Sequence, residues 1–199
     1  RGDEGEAGLA QRILTEVEAE CGWMYETRHT DGRIGRINYT VWSDVFICPY
    51  CGTDIVFWTE AVEDGEVRET FSCPQCKAGV TKRELSRATE RIHDDALGRI
   101  IERTKQVPVM INYSVEQARF EKRVDENDLN LLQRIEQSHI PYWYPTSPMY
   151  SSSDRWSDDA YYLRGITNVH HFYTKRSLWL TAYLWYRCRQ VEDRRLRSQ

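Results

Sequence analysis

The stretch FICPYCGTDIVFW, residues 46–58, places a Cys-Pro-Tyr-Cys-Gly turn between two apolar, β-branched runs, and its echo FSCPQCKAGV follows at 71–80. Together they space Cys48, Cys51, Cys73 and Cys76 as C-x2-C-x21-C-x2-C. A C-x2-C turn delivers two thiolates from one tight knuckle, and two facing knuckles complete the tetrahedral shell that zinc prefers. The proline presets each turn, and Gly52 follows the first pair where a positive φ is often required. A pair of disulfides would suit an oxidising compartment, which nothing else in the chain suggests. A thioredoxin-type redox pair lies between a strand and a helix and has no mirror image. Four cysteines leave no open coordination position, so the expected zinc is structural and not catalytic.

The spacer extends the reading to a fold. Residues 53–62 are rich in Ile, Val, Phe and Trp, Asp64-Gly65 is a hairpin turn signal, 66–72 return to the second knuckle, and 39–47 read as a further strand. The expectation is a three-stranded antiparallel zinc ribbon, a sheet too small to hold itself without a staple. Cys21 and Cys188 stand outside the pattern and read as buried thiols.

Upstream, residues 7–20 carry Leu9, Ile13 and Val17 at helical spacing, Gly22 is a natural stop, and Asp31-Gly32 joins a hairpin. Downstream, Thr81-Lys-Arg-Glu84 matches a capping box, predicting a helix to about Leu97 with Gly98 as its weak point. Residues 107–115 and 119–124 read as paired strands, with Pro108 permissible only near a strand start or on an edge. Asp125 caps a helix carrying Leu129, Leu132 and Ile135. Residues 140–168 are rich in Pro, Ser and aromatics without a period, and a helix begins near Thr174. The fold class is α+β: small antiparallel sheets, the ribbon among them, packed with several helices. Four segments follow: 1–38, helix and hairpin; 39–80, ribbon; 81–139, α+β; and 140–199, aromatic loop and basic helix. They read as one compact unit.

Composition narrows the classes. Of 199 residues, 40% are apolar and 29% charged, which suits a packed core and excludes global disorder. The net charge of −4 excludes a protein that coats nucleic acid by bulk positive charge. The charge is uneven, acidic over residues 1–20 and basic over 172–199. No membrane span or signal peptide is visible, so a cytoplasmic location and no membrane partner are expected. A first residue of Arg suggests a piece of a longer protein. Gly-x-Ser-x-Gly, His-Glu-x-x-His and Walker motifs are lacking, and DGRIGR sits in a hairpin pattern, not before a helix. His170-His171 reads as packing or hydrogen-bonding groups, and Asp94-Asp95 and Asp158-Asp159 as solvated surface.

Five stretches, RILTEVEAECGWMYETRH, GRINYTVWSDVFICPYCG, KQVPVMINYS, IPYWYPTSPM and VHHFYTKRSLW, resemble, in this order, bacterial and archaeal adenine-N6 or cytosine-N4 DNA amino-methyltransferases. The resemblance covers nearly the whole chain. It implies the target-recognition region between the S-adenosylmethionine-binding and catalytic segments, with double-stranded DNA and the methyltransferase domain of the same parent chain as partners. The nearest match to the family's catalytic tetrad is Ser147-Pro-Met-Tyr150, with Met149 in place of the second proline. It reads as a loop, so the chain alone is expected to be inactive and not to bind S-adenosylmethionine tightly. The candidate DNA contacts are Arg28, Arg33, Arg36, Lys82, Arg83, Lys175 and Arg176. Lys175 and Arg176 open a helix, where positive charge opposes the macrodipole; a phosphate would compensate, as would acids of the N-terminal helix. The competing function is a zinc-ribbon scaffold for protein–protein interaction without nucleic-acid contact.

Overall fold

The computed structural model describes residues 6–149, 161 and 164–191. The architecture is α+β, with small antiparallel sheets against four α-helices among the described residues. Helix α1 (Glu6–Cys21) ends in a 3-10 turn at Gly22–Tyr25 that leads into β1 (Glu26–Arg28). Gly32, at φ +89°, turns the chain into β2 (Ile34–Ile47), a fourteen-residue strand that organises the molecule. Its residues 34–36 pair with β1 on one side and 36–44 with β11 (Gln106–Val115) on the other, and β12 (Ala118–Arg123) extends the sheet. The far end of β2 pairs instead with β3 (Asp54–Val56) and β8 (Ser86–Arg87). Pro108 is tolerated in β11 because it pairs only with Trp42 of β2, at a bulge, before β12 begins.

Around the cysteines the sheet departs from a simple ribbon. The antiparallel triple exists, as β3, β2 and β8, but residues 66–72 do not supply its third strand. Residues Phe57–Ala61 form helix α2, not strand. Ser43 Oγ of β2 accepts the Trp58 N–H at 2.9 Å, capping it from across the sheet, and Ala61 is wholly buried among Cys48, Ile55, Phe71 and Val80. Tertiary packing here overrides a β-rich local composition. Two short hairpins follow, β4 (Val62–Glu63) with β5 (Glu66–Val67) around Asp64-Gly65, and β6 (Thr70–Ser72) with β7 (Gly79–Thr81).

The helix expected after Thr81 is absent. The capping box forms, Glu84 accepting the Thr81 N–H at 2.7 Å, but it closes a single 3-10 turn, Lys82–Glu84. Strand β9 (Thr89–Asp94) then pairs with β10 (Arg99–Thr104) about Gly98, at φ +61°. Ala88, Glu90, Ile92 and Asp94 face inward while Thr89, Arg91 and His93 are exposed, a period of two within residues that also suit a helix. Asp125 does cap α3 (Glu126–Gln137), and Thr174 caps α4 (Lys175–Arg189).

Three apolar clusters hold these parts. Cys21, Met24, Ile135, Leu178, Trp179 and Ala182 join α1, α3 and α4; Ile37, Ile111, Tyr113 and Val115 lie under the main sheet; Ile55, Ala61, Phe71 and Val80 surround the cysteines. Cys21 is buried, and burial pushes its thiol up to about 11, whereas Cys188 is exposed, contrary to expectation. No helix among the described residues is long and apolar enough to cross a membrane.

Candidate metal centre

The two knuckles are copies of one backbone device. Gly52 N–H donates to the Cys48 carbonyl at 2.9 Å and Cys48 N–H to the Thr53 carbonyl at 2.9 Å. In the second, Lys77 N–H donates to Cys73 at 3.1 Å and Cys73 N–H to Ala78 at 2.9 Å. The residue after each pair is left-handed, Gly52 at φ +73° and Lys77 at +62°. This turns all four sulfurs to one point. The Sγ atoms of Cys48 and Cys76 are 3.8 Å apart, those of Cys51 and Cys73 are 3.6 Å apart, and all four lie within 4.8 Å of one another. A tetrahedral ion with metal–sulfur bonds of about 2.3 Å has sulfur–sulfur edges of about 3.8 Å. The donor set therefore fits a structural metal site.

Cys48 and Cys73 are buried and Cys51 and Cys76 exposed, so the centre is seated on the core at one side and open to solvent at the other. Hydrogen bonding to Thr53 draws the Cys51 thiol down to about 6, and the Cys76 and Gln75 amides lower that of Cys73. Without a cation four adjacent thiolates cannot coexist. The Ala78 amide favours a Cys76 thiolate, but desolvation and its sulfur neighbours together outweigh that and push it up to about 11. A divalent cation removes the conflict, because every ligand is then ionised.

A second constellation joins Asp94, at the end of β9, to His170 and His171 in the 3-10 turn Val169–Phe172. The solvated role expected for Asp94 is wrong, because it is buried. Its Oδ2 meets His170 Nε2 at 2.9 Å and His171 Nε2 at 2.7 Å, and its Oδ1 accepts the Ala96 and Leu97 N–H groups at 3.0 Å each. Burial opposes its ionisation, but the His171, His170 and Leu97 donors prevail and hold its pKa at about 2. These three side chains are close enough to grip a cation. The tautomer argues otherwise: His171 Nδ1 accepts the Thr167 and Asn168 amides at 3.1 and 3.3 Å, so its proton resides on Nε2, facing Asp94. The group is a clamp between the β9–β10 hairpin and the segment before α4. Gly165 lets that segment pass against the Glu102 and Arg103 backbone, where any Cβ would collide. Asn168 and His171 cap the turn reciprocally, although Asn-x-x-His is not the usual capping-box signature, and Asp94, far upstream, has no local signal. Beside the clamp lies a cavity of about 500 Å³ lined by Trp42, Ile92, Tyr144, Phe172 and Leu178.

Most of the candidate cations are engaged within the chain. Arg33 pairs with Asp31 and Glu116, and Arg36 pairs with Glu18, the second of its two bonds being 2.6 Å. Lys175 Nζ donates to the Glu136 carbonyl at 2.6 Å and lies 3.9 Å from Asp95. Arg176 is buried, with its guanidinium 5.2 Å from the Tyr25 ring centre, so it is a core group and not a phosphate ligand. The acids of α1 serve Arg36 and Arg187 instead. Lys82 lies over the Phe57 ring at 4.6 Å, and Arg28 and Arg83 are exposed without a carboxylate partner among the described residues. Ser147 and Met149 of the Ser-Pro-Met-Tyr stretch are held in a loop by backbone bonds to Val169 and Thr167; Tyr150 and Asp158-Asp159 fall outside the described residues.

Fold and site together define an α+β protein built round a cluster of four cysteines whose geometry is compatible with a structural metal site. No family model matches the chain, and neither a curated protein nor a solved structure is detectably similar to it.

Proposed function

We propose that this chain is the DNA-recognition region of an S-adenosylmethionine-dependent DNA amino-methyltransferase, stapled by one zinc ion and acting beside the methyltransferase domain of the same parent chain in a bacterial or archaeal cytoplasm. The observation that carries the DNA reading is the placement of Lys82 and Arg83. Both are exposed on the 3-10 turn that follows the second knuckle, and Glu84, the acid of that turn, is engaged by Thr81. Lys77, at the knuckle itself, is exposed, its Nζ donating to the Pro74 carbonyl at 2.8 Å. An enzyme that extrudes a base must grip the surrounding phosphates while the duplex opens, and a stapled turn presents such charges at little entropic cost. Zinc suits four thiolates, and a filled shell assigns it to structure. S-adenosylmethionine belongs to the parent enzyme.

Duplex affinity measured against salt tests the reading. Binding should weaken steeply as salt rises, and Lys82→Gln with Arg83→Gln should lower affinity for all sequences and reduce the salt slope by roughly two. An affinity indifferent to salt and to both substitutions would turn the assignment to a protein-interaction scaffold.

A further inference from the structure

Two of the largest exposed apolar side chains in the molecule lie against each other. Trp143 is 65% exposed and Trp185 53%, and their rings are 6.3 Å apart at 39°. The pair is held from behind. Tyr142 packs on Tyr183 and Tyr186 at 4.9 and 5.1 Å, and its hydroxyl donates to Glu20 at 3.0 Å. Ile140 is buried in the helical core, and Pro141 and Pro145 bracket the aromatic triplet. Burial alternates along this segment, with Tyr142 and Tyr144 half-buried and Trp143 exposed between them. Two indoles fixed in this way lose little freedom when a flat partner arrives.

Charge indicates the partner. Helix α4 carries four cations and no carboxylate. Arg189 stands one turn beyond Trp185 on the same face, exposed and without a carboxylate partner among the described residues. Among the described residues, Glu16 is engaged by Arg187 at 2.6 Å and Glu20 by Tyr142. Flat π-faces beside a guanidinium that no described carboxylate engages match an unstacked nucleobase and its phosphate. Bases within a duplex are already stacked and cannot use such a surface.

We infer that Trp143, Trp185 and Arg189 form a stacking platform for unpaired bases of a nucleic-acid strand. The inference deepens the DNA reading but lies on different residues from Lys82 and Arg83, so the two can fail separately. The test uses the metal-loaded chain with three labelled probes: oligothymidylate, a fully paired duplex, and the same duplex with an internal bubble. Trp143→Ala and Trp185→Ala should each weaken oligothymidylate and bubble binding at least about fivefold, with little change for the paired duplex. Trp185→Phe should retain most of the affinity, Trp58→Ala should have no effect, and Arg189→Gln should lower the single-strand salt slope by roughly 0.7. Oligothymidylate affinity unchanged in both alanine variants, or no saturable binding by the wild type, overturns the platform. A concentration-dependent dimer abolished by Trp185→Ala also overturns it, because a second copy then covers the face. Loss of duplex binding alone removes the recognition reading and leaves the platform standing.

Discussion

Lys77 holds a backbone conformation that its counterpart, Gly52, adopts without penalty. An L-residue in the left-handed region costs about 1–2 kcal/mol, so Lys77→Gly should stabilise the metal-loaded chain by about 1 kcal/mol in denaturant unfolding. The positive φ after Cys51 could be read from its glycine; the one after Cys76 is imposed by the knuckle and has no residue signal. Asp94 is the opposite case, a residue whose sequence neighbourhood misleads. An amide there cannot accept from two imidazoles and two backbone amides together, so Asp94→Asn should cost about 2–4 kcal/mol. The clamp also sets a pH dependence. Asp94 has a folded pKa of about 2, below its ordinary value of 3.8. Its contribution is therefore complete above the ordinary value and lost as pH falls towards 2. Burial lowers the pKa of His171 from 6.5, so its contribution likewise fades as pH falls below 6.5. Thermal melts from pH 7 downwards should show stability declining first through the histidine range and again near pH 3, and Asp94→Asn should flatten the acidic decline.

At the scale of elements, one motif serves two ends. Thr81-x-x-Glu84 and Asp125-x-x-Asp128 both form reciprocal caps, yet the first is followed by strand and the second by a three-turn helix. Residues 126–137 repeat their apolar positions at helical spacing. Beyond Glu84 the inward set Ala88, Glu90, Ile92 and Asp94 alternates, half of it charged, and the long-range partners of its polar members are Arg103, His170 and His171. Long-range partners decide that element, so its type was hidden from local reading. Asp125→Ala should therefore cost about 1–2 kcal/mol of global stability, with Lys122 losing one of its two carboxylates. Thr81→Ala, at a turn that caps nothing further, should cost less than about 0.5 kcal/mol. Denaturant midpoints of the two variants measure the difference. Elements with a local signature, such as β1–β2 around Gly32, β11–β12, α1 and α4, were legible; α2 was not, because its cap comes from Ser43 on another strand.

In the whole molecule the cysteine cluster has a core of its own, separate from the helical one. Elemental analysis should find one zinc per chain. Chelation at neutral pH, or Cys73→Ser, should open residues 48–87 to amide exchange while Met24, Ile135 and Trp179 stay protected. Retained protection in 48–87 without metal would show a module that needs no staple. Both parts meet on β2, which enters the main sheet at one end and the cysteine module at the other. That shared strand has a kinetic consequence. To pair β2 with β11 the chain must close a loop of roughly 60 residues, the slow, entropic part of making such a sheet. An ion gripping Cys48 and Cys76 ties off nearly half of that span in advance. With a logarithmic closure entropy the search becomes cheaper by about 0.5 kcal/mol, roughly twofold in rate. A chain that meets its metal early should assemble its principal sheet sooner than one that meets it late, although both arrive at the same structure.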